Sequence, residues 1–312
     1  LESKGVKFYT SHVITEAKSS TDQVESVSIV EIDSHSNPVS GTEKTIETDT
    51  VCEAIGLVPN VELLSLLDCD LRFDYQRGGY APVVDEWMRT SVDTTFVCGD
   101  AAGYFDSSAI SSQHAIDQGR LAGIAAAESL SAIDSATAIA KRTELANTTK
   151  VSDDNQVDGV WKQWLAALMN TGGLDVYVCL CEEVTRRELL EVQPPRYLNW
   201  KSEQMSKRSV ATLAKDGPIN PDQVKRLTRA GMGHCQGRRC REQVAMMLAD
   251  ESNTPLTEVP IMSYRPPVRP LPLRIMWAHD EPQEMRDDWV VWFKHSRDYL
   301  REMMEEEAKT QN

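Results

Sequence analysis

The chain has 312 residues, more than one ordinary domain needs, and carries a net charge of −15 with 41% hydrophobic residues. That acidity argues against nucleic acid as a partner, and no apolar run approaches the ~20 residues needed to span a bilayer. Seven cysteines without a paired framework read as a reducing environment, so the expectation is a cytoplasmic protein, at most peripheral at the inner face of the membrane.

Val6 to Thr15 and Val24 to Ile32 alternate as two strands of a hairpin-like unit. Next comes Thr48-Asp-Thr-Val-Cys-Glu-Ala-Ile-Gly-Leu-Val-Pro-Asn60, then Gly78-Gly79-Tyr80 and Val83-Val84-Asp85 as a turn and strand. In Thr94-Thr-Phe-Val-Cys-Gly-Asp-Ala-Ala-Gly103 a short apolar strand stops at Gly99-Asp100. There Ala101 and Ala102 open a helix that runs past Gly119 to about Leu130. A carboxylate beside a helix N-terminus can hold a ribityl hydroxyl, while the helix end favours the negative charge of a diphosphate or reduced flavin. By itself a Gly-Asp after a strand is a weak signal.

Lys150 to Asp158 reads as a polar linker, followed by an amphipathic helix bearing Trp161, Trp164, Leu165 and Leu168. Two tight cysteine pairs follow, Cys179 with Cys181 and Cys235 with Cys240. Thiolates gathered in this way select zinc, Cu(I) or an iron–sulfur cluster. A C-x-C pair is tight for structural zinc, whose paired ligands usually stand two to four residues apart; a zinc clip remains the alternative. Glycines 231, 233 and 237 free the backbone to approach closely, and Arg238, Arg239 and Arg241 place positive charge at the following helix. Residues 176–250 hold 13 Lys and Arg against 9 Asp and Glu, so this stretch is basic in an acidic chain.

Around the pairs the residues predict a small helical module. Thr185-Arg-Arg-Glu188 is a capping box for a helix ended by Pro194-Pro195. Asn220-Pro221 opens a second helix, which Gly231 closes, and a third follows Cys240 through Val244, Met247 and Leu248. His234 adjoins a ligand cysteine and either tunes it or faces solvent, whereas Cys52, Cys69 and Cys98 read as buried free thiols. Pro260 through Pro272 holds five prolines and predicts an extended arm. An aromatic and acidic tail completes the chain, with Trp277, Trp289, Trp292 and Phe293.

Val178-Cys-Leu-Cys-Glu-Glu-Val-Thr185 with Gly231-Met-Gly-His-Cys-Gln-Gly-Arg-Arg-Cys240 resembles the [2Fe-2S] domain of bacterioferritin-associated ferredoxins. It is closer to the version fused to a flavoprotein in the large subunits of opine oxidases, hydrogen cyanide synthase and dye-linked proline dehydrogenases. The four residues between Cys235 and Cys240 depart from the ferredoxin's C-x-x-C and match the fused subunits. Upstream, the Thr48–Asn60 stretch, with Gly56 and Pro59, resembles the return from the NAD domain to the FAD domain in nucleotide-disulfide reductases; Met88 to Asp93 matches that family's approach to its Gly-Asp turn.

The resemblance implies an α/β fold: the C-terminal part of a flavoprotein with two dinucleotide-binding domains, then a helical [2Fe-2S] domain and an extended arm. The segments expected are 1–50 from an NAD-type domain, 51–135 from the FAD domain, 136–172 linker and helix, 173–250 the cluster domain, and 251–312 arm and tail. It implies FAD near Gly56, Pro59, Gly99, Asp100, Ala101, Ala102, Gln113 and His114, and a [2Fe-2S] cluster on Cys179, Cys181, Cys235 and Cys240. Neither Gly-x-Gly-x-x-Gly fingerprint occurs in a βα context, so an N-terminal companion segment is expected to complete the flavin fold. The implied activity is electron transfer within a heteromeric amine or amino-acid dehydrogenase that forms an imine. Its partners would be an oxidase-like FAD subunit with a second flavin at that interface, and a quinone or dye-type acceptor. The alternatives are an NAD(P)H-dependent flavin/[2Fe-2S] reductase and a non-catalytic assembly subunit.

Overall fold

The structure, a computed structural model, describes residues 4–52, 57–103, 112–145, 158–200 and 202–268, with a few positions between 271 and 284. It divides into two compact units, Leu1–Arg265 and Pro266–Asn312. The first carries everything that follows. The expected tail, with Trp277 to Phe293, lies outside the described residues, as does most of the linker before Asp158.

The chain begins with an antiparallel sheet of β1 (His12–Lys18), β2 (Ser26–Glu31) and β3 (Lys44–Glu47), with β2 central. Val27, Ile29 and Val30 bury β2, while β1 keeps most of its side chains in solvent. The third strand was not anticipated, because Lys44 to Glu47 alternates charge with Thr and Ile and shows little apolar signal. A short helix α1 (Glu62–Leu66) leads into the hairpin β4 (Leu71–Asp74) and β5 (Gly79–Pro82), whose Phe73 and Tyr80 rings pack edge to face at 5.1 Å. The expected strand at Val83 to Asp85 thus falls a few residues earlier.

Thr94 to Cys98 also departs from expectation. It makes one isolated bridge, Phe96 to Arg89, instead of a strand. Its backbone bonds run locally, Thr90 N–H to Thr95 O at 3.0 Å and Val97 N–H to Met88 O at 3.0 Å, so a tight loop takes the groups a ladder would use. Beyond a 3-10 turn at Gly99–Ala102 come α2 (Ser112–Ser129), α3 (Ser135–Leu145) and α4 (Asp158–Gly172).

The second half contains β6 (Tyr177–Cys179), β7 (Val184–Thr185), α5 (Arg186–Leu190), α6 (Val210–Asp216), α7 (Pro221–Thr228) and α8 (Arg241–Ser252). The capping box is present: the Thr185 hydroxyl accepts from the Glu188 amide while Glu188 reaches back to the Thr185 N–H at 2.8 Å. Two stops come earlier than expected. Val192, at φ 50°, turns the chain before Pro194, and Arg229, at φ 66°, ends α7 before Gly231. Arg186 is buried and donates to Leu168 O in the last turns of α4 at 2.8 Å and to Gly173 O just past its end at 3.1 Å, so α4 docks on α5. One apolar core runs from Val61, Phe73 and Tyr80 through Leu165 and Leu189 to Val244, Leu248 and Met262. The Tyr80 hydroxyl closes it by donating to the Val259 and Pro260 carbonyls at 2.9 and 3.0 Å.

Candidate functional site

At the Gly-Asp turn, Gly99 has φ +64° and Gly103 φ +112°. A Cβ on Gly103 would stand 2.7 Å from Cβ of Arg77, so that position needs glycine on steric as well as conformational grounds. The Gly99 N–H donates to Oε1 of Gln118 at 2.7 Å, and the buried Gln118 also contacts the His114 ring at 2.9 Å. A single amide from α2 thus holds the turn against the helix and orients His114, whose Nε2 accepts when the Gln118 NH2 donates. Gln113 donates to Asp117 at 3.0 Å. Asp100 is exposed in the first turn, Ala101 half-buried and Ala102 buried. Gly56 lies outside the described residues. Pro59 is present, and its carbonyl accepts from Arg241 Nη2 at 2.7 Å.

The cysteines come from two loops. Cys179 ends β6, Cys181 sits in the turn to β7, and Cys235 and Cys240 span the loop from α7 to α8. Glu182 clips the loops together: its Oε2 accepts from Arg229 Nε at 2.6 Å and from the Tyr197 hydroxyl at 3.0 Å. A Cβ on Gly233 would collide with Cβ of Cys181, so only glycine lets the loops approach. The Gly231 N–H points at Cys179 Sγ, 3.4 Å away.

Four thiols meet here as two facing pairs, Cys179 with Cys240 and Cys181 with Cys235. The first pair is buried and the second half-buried. The Cys240 thiol, donating to Cys179, together with the N–H groups of Gly231, Glu182 and Cys181, holds Cys179 down to about 6 against the effect of burial. Cys240 moves the opposite way, pushed well up by the same bond and then by burial. Within the inner pair Cys179 is therefore the more acidic thiol. Among the described residues no group of three or more His, Cys, Asp or Glu stands at metal-holding geometry, while the thiols interact across the two pairs as well as within them. Two pairs of soft donors fit a [2Fe-2S] cluster, which takes two thiolates on each iron.

His234 is exposed, with Nε2 3.7 Å from Cys181 Sγ. Cys69 is buried as expected, but Cys52 and Cys98 are exposed.

The expectation for Arg241 is corrected by its surroundings. It is 1% exposed and donates to Glu62 Oε1 at 3.0 Å, to the Tyr264 hydroxyl at 2.6 Å and to Pro59 O, with Glu242 on Nε. Arg238 also pairs with Glu62 Oε1, at 3.3 Å. Both cations are thus matched by carboxylates and do not present free positive charge. Glu62, Gln118 and Tyr264 are the residues that sequence reasoning missed. Among these only Glu62 carried a local signal, an acid opening α1 two residues after Val58-Pro59-Asn60.

The pyridine nucleotide-disulphide oxidoreductase family model matches residues 1–119, which include the Gly99–Ala102 turn. The fold is mixed helix and sheet, and the matched segment lies ahead of the thiol module. The sarcosine oxidase A3 domain matches residues 202–280, including Cys235 and Cys240. The chain is similar to an opine oxidase subunit of Rhizobium meliloti, 28% identical over 239 residues, covering 75% of this chain and 40% of that protein. The corresponding opine oxidase subunit of Agrobacterium tumefaciens (strain Ach5) is also 28% identical, over 234 residues, covering 74% and 41%. The chain thus spans about two fifths of the length of these curated relatives. L-proline dehydrogenase from P. horikoshii superposes with a TM-score of 0.54 at 20% identity, covering 85% of this chain and 44% of that one, which is a likeness of fold. Among the described residues no helix is long and apolar enough to cross a membrane.

Proposed function

We propose that this chain is the electron-transfer part of an FAD- and [2Fe-2S]-containing subunit of a heteromeric dehydrogenase acting on an amine or amino acid. The observation that carries the reading is the convergence of Cys179, Cys181, Cys235 and Cys240 as two thiol pairs in the same compact unit as the Gly99–Ala102 turn. Similarity to opine oxidase subunits and to the sarcosine oxidase A3 domain supports amine or amino-acid oxidation over a reductase role. When bound, FAD supplies two-electron chemistry and the cluster one-electron steps, and the protein's task is to position them.

The residues divide that task. Gly99 and Gly103, both at positive φ, would let the backbone approach a nucleotide, Asp100 would offer a carboxylate to a ribityl hydroxyl, and Gln118 holds the turn in place. Gly231 N–H donation to Cys179 Sγ favours a negatively charged sulfur. An N-terminal companion segment and an oxidase-like flavin subunit would complete the assembly. The segment divisions given above are proposed on the same footing, with 51–135 serving flavin and 173–250 the cluster.

Anaerobic purification with iron, labile sulfide and flavin analysis tests the reading. Two irons and two sulfides per chain are expected, with a rhombic spectrum on reduction. Stoichiometric zinc without sulfide would sink it.

A further inference from the structure

We infer that Glu62 is a positioning residue for the cysteine site: one buried carboxylate of the flavin-type segment clamps both arms of the Cys235–Cys240 loop and sets its charge. The inference rests on the cluster reading proposed above and adds a residue that lies far from the cysteines in sequence.

Glu62 is 2% exposed, and its Oε1 stands 3.0 Å from Arg241 Nη1 and 3.3 Å from Arg238 Nε. Each arginine is tied to a different end of the loop. Arg238 donates to the Cys235 carbonyl at 3.2 Å, and Arg241 follows Cys240 directly as the first residue of α8. A shift of Glu62 would therefore move the backbone carrying both cysteines. Pro59 O, three residues before Glu62, takes a third bond from Arg241, so the contact joins two backbones as well as two charges.

The charges balance. Arg238 and Arg241 face Glu62 and Glu242, two cations against two carboxylates. In a buried setting such pairs are weakly screened, so removing one partner exposes the other's full field. Glu62 has a further peculiarity: its Oε2 is buried and has no hydrogen-bond partner among the described residues. Its other oxygen, Oε1, stands where Arg238 and Arg241 meet.

The test uses the full chain, purified anaerobically with its cluster, and compares wild type with Glu62→Gln, Arg238→Gln and the double variant. Iron and sulfide content, the reduced-state EPR spectrum and the midpoint potential are measured for each. Glu62→Gln should retain two irons, alter the EPR line shape, and favour the reduced cluster at least tenfold, equal to 59 mV for one electron. Arg238→Gln should move the potential the other way, and the double variant should depart from the sum of the singles. Opposite signs separate a charge clamp from simple loosening, which would shift both variants alike. Arg238 is a third exposed, so its variant carries the test if Glu62→Gln does not fold. Unchanged potential and spectrum in Glu62→Gln with iron present, or shifts of one sign in both singles, would overturn the inference alone. Wild type without iron would overturn the cluster reading and this inference with it.

Discussion

Gln118 accepts the Gly99 N–H at 2.7 Å, and this bond from the middle of α2 fixes the turn on which the flavin reading depends. Gln118→Ala leaves that amide and His114 without their shared partner. A lost hydrogen bond of this kind costs about 1 kcal/mol, so flavin should be retained several-fold less tightly than in wild type. Equilibrium dialysis of flavin against the variant checks this, and undiminished retention would show that the turn holds itself.

Asp100→Ala should act more directly, through the cofactor. The carboxylate is exposed, so thermal stability should stay within about 0.5 kcal/mol. Loss of a charge-assisted bond of about 1.5–3 kcal/mol should weaken FAD binding roughly ten- to a hundredfold. A variant that melts early but still holds flavin would reverse both assignments.

These two positions also mark how far the sequence could be read. Gly99-Asp100 stood out because punctuation residues after an apolar run leave a local signature, as did Thr185-Arg-Arg-Glu188 and Asn220-Pro221 at helix starts. Gln118 left none, since a helical glutamine is ordinarily solvent-facing. The Arg241–Glu62 pair spans 179 positions, and no periodicity encodes a contact of that range. The same holds for Cys179 with Cys240: spacing nominated the four thiols, but only the fold decides which pairs face each other.

Cys179→Ser should abolish the cluster, because a hydroxyl is a hard and weakly acidic replacement for a soft thiolate. Cys52→Ser is the control, being exposed and apart from the four. Iron and labile sulfide should be near zero in the first variant and unchanged in the second. Equal iron in both would remove Cys179 from the ligand set.

Two glycines offer a paired steric test. At Gly233 an added Cβ collides with Cβ of Cys181, whereas at Gly217 nothing lies within 4 Å and the backbone is extended at φ 171°. Gly233→Ala should push the two cysteine loops apart, at about 1–3 kcal/mol for overpacking, and lose iron. Gly217→Ala should stay within about 0.5 kcal/mol. Chemical denaturation alongside iron analysis distinguishes them, and a well-loaded Gly233→Ala would mean that the loops need not be this close.

The buried tyrosines give the protein an alkaline limit. Burial, followed by the nearby Glu242 carboxylate, raises Tyr80 far above its ordinary value against the opposing pull of Arg241, and burial pushes Tyr264 up to about 12. An unfolded tyrosine titrates near 10. The folded state therefore holds these protons more tightly, and the stability they contribute is complete below pH about 10 and is lost as pH rises toward the folded values. Tyr80→Phe removes one of the two titrations and the bonds to the Val259 and Pro260 carbonyls. The variant should be about 1 kcal/mol less stable at pH 8, yet its stability should fall less steeply between pH 10 and 11.5. Denaturant midpoints across that range check the slope. Parallel curves for wild type and variant would show that the Tyr80 hydroxyl does not set the limit.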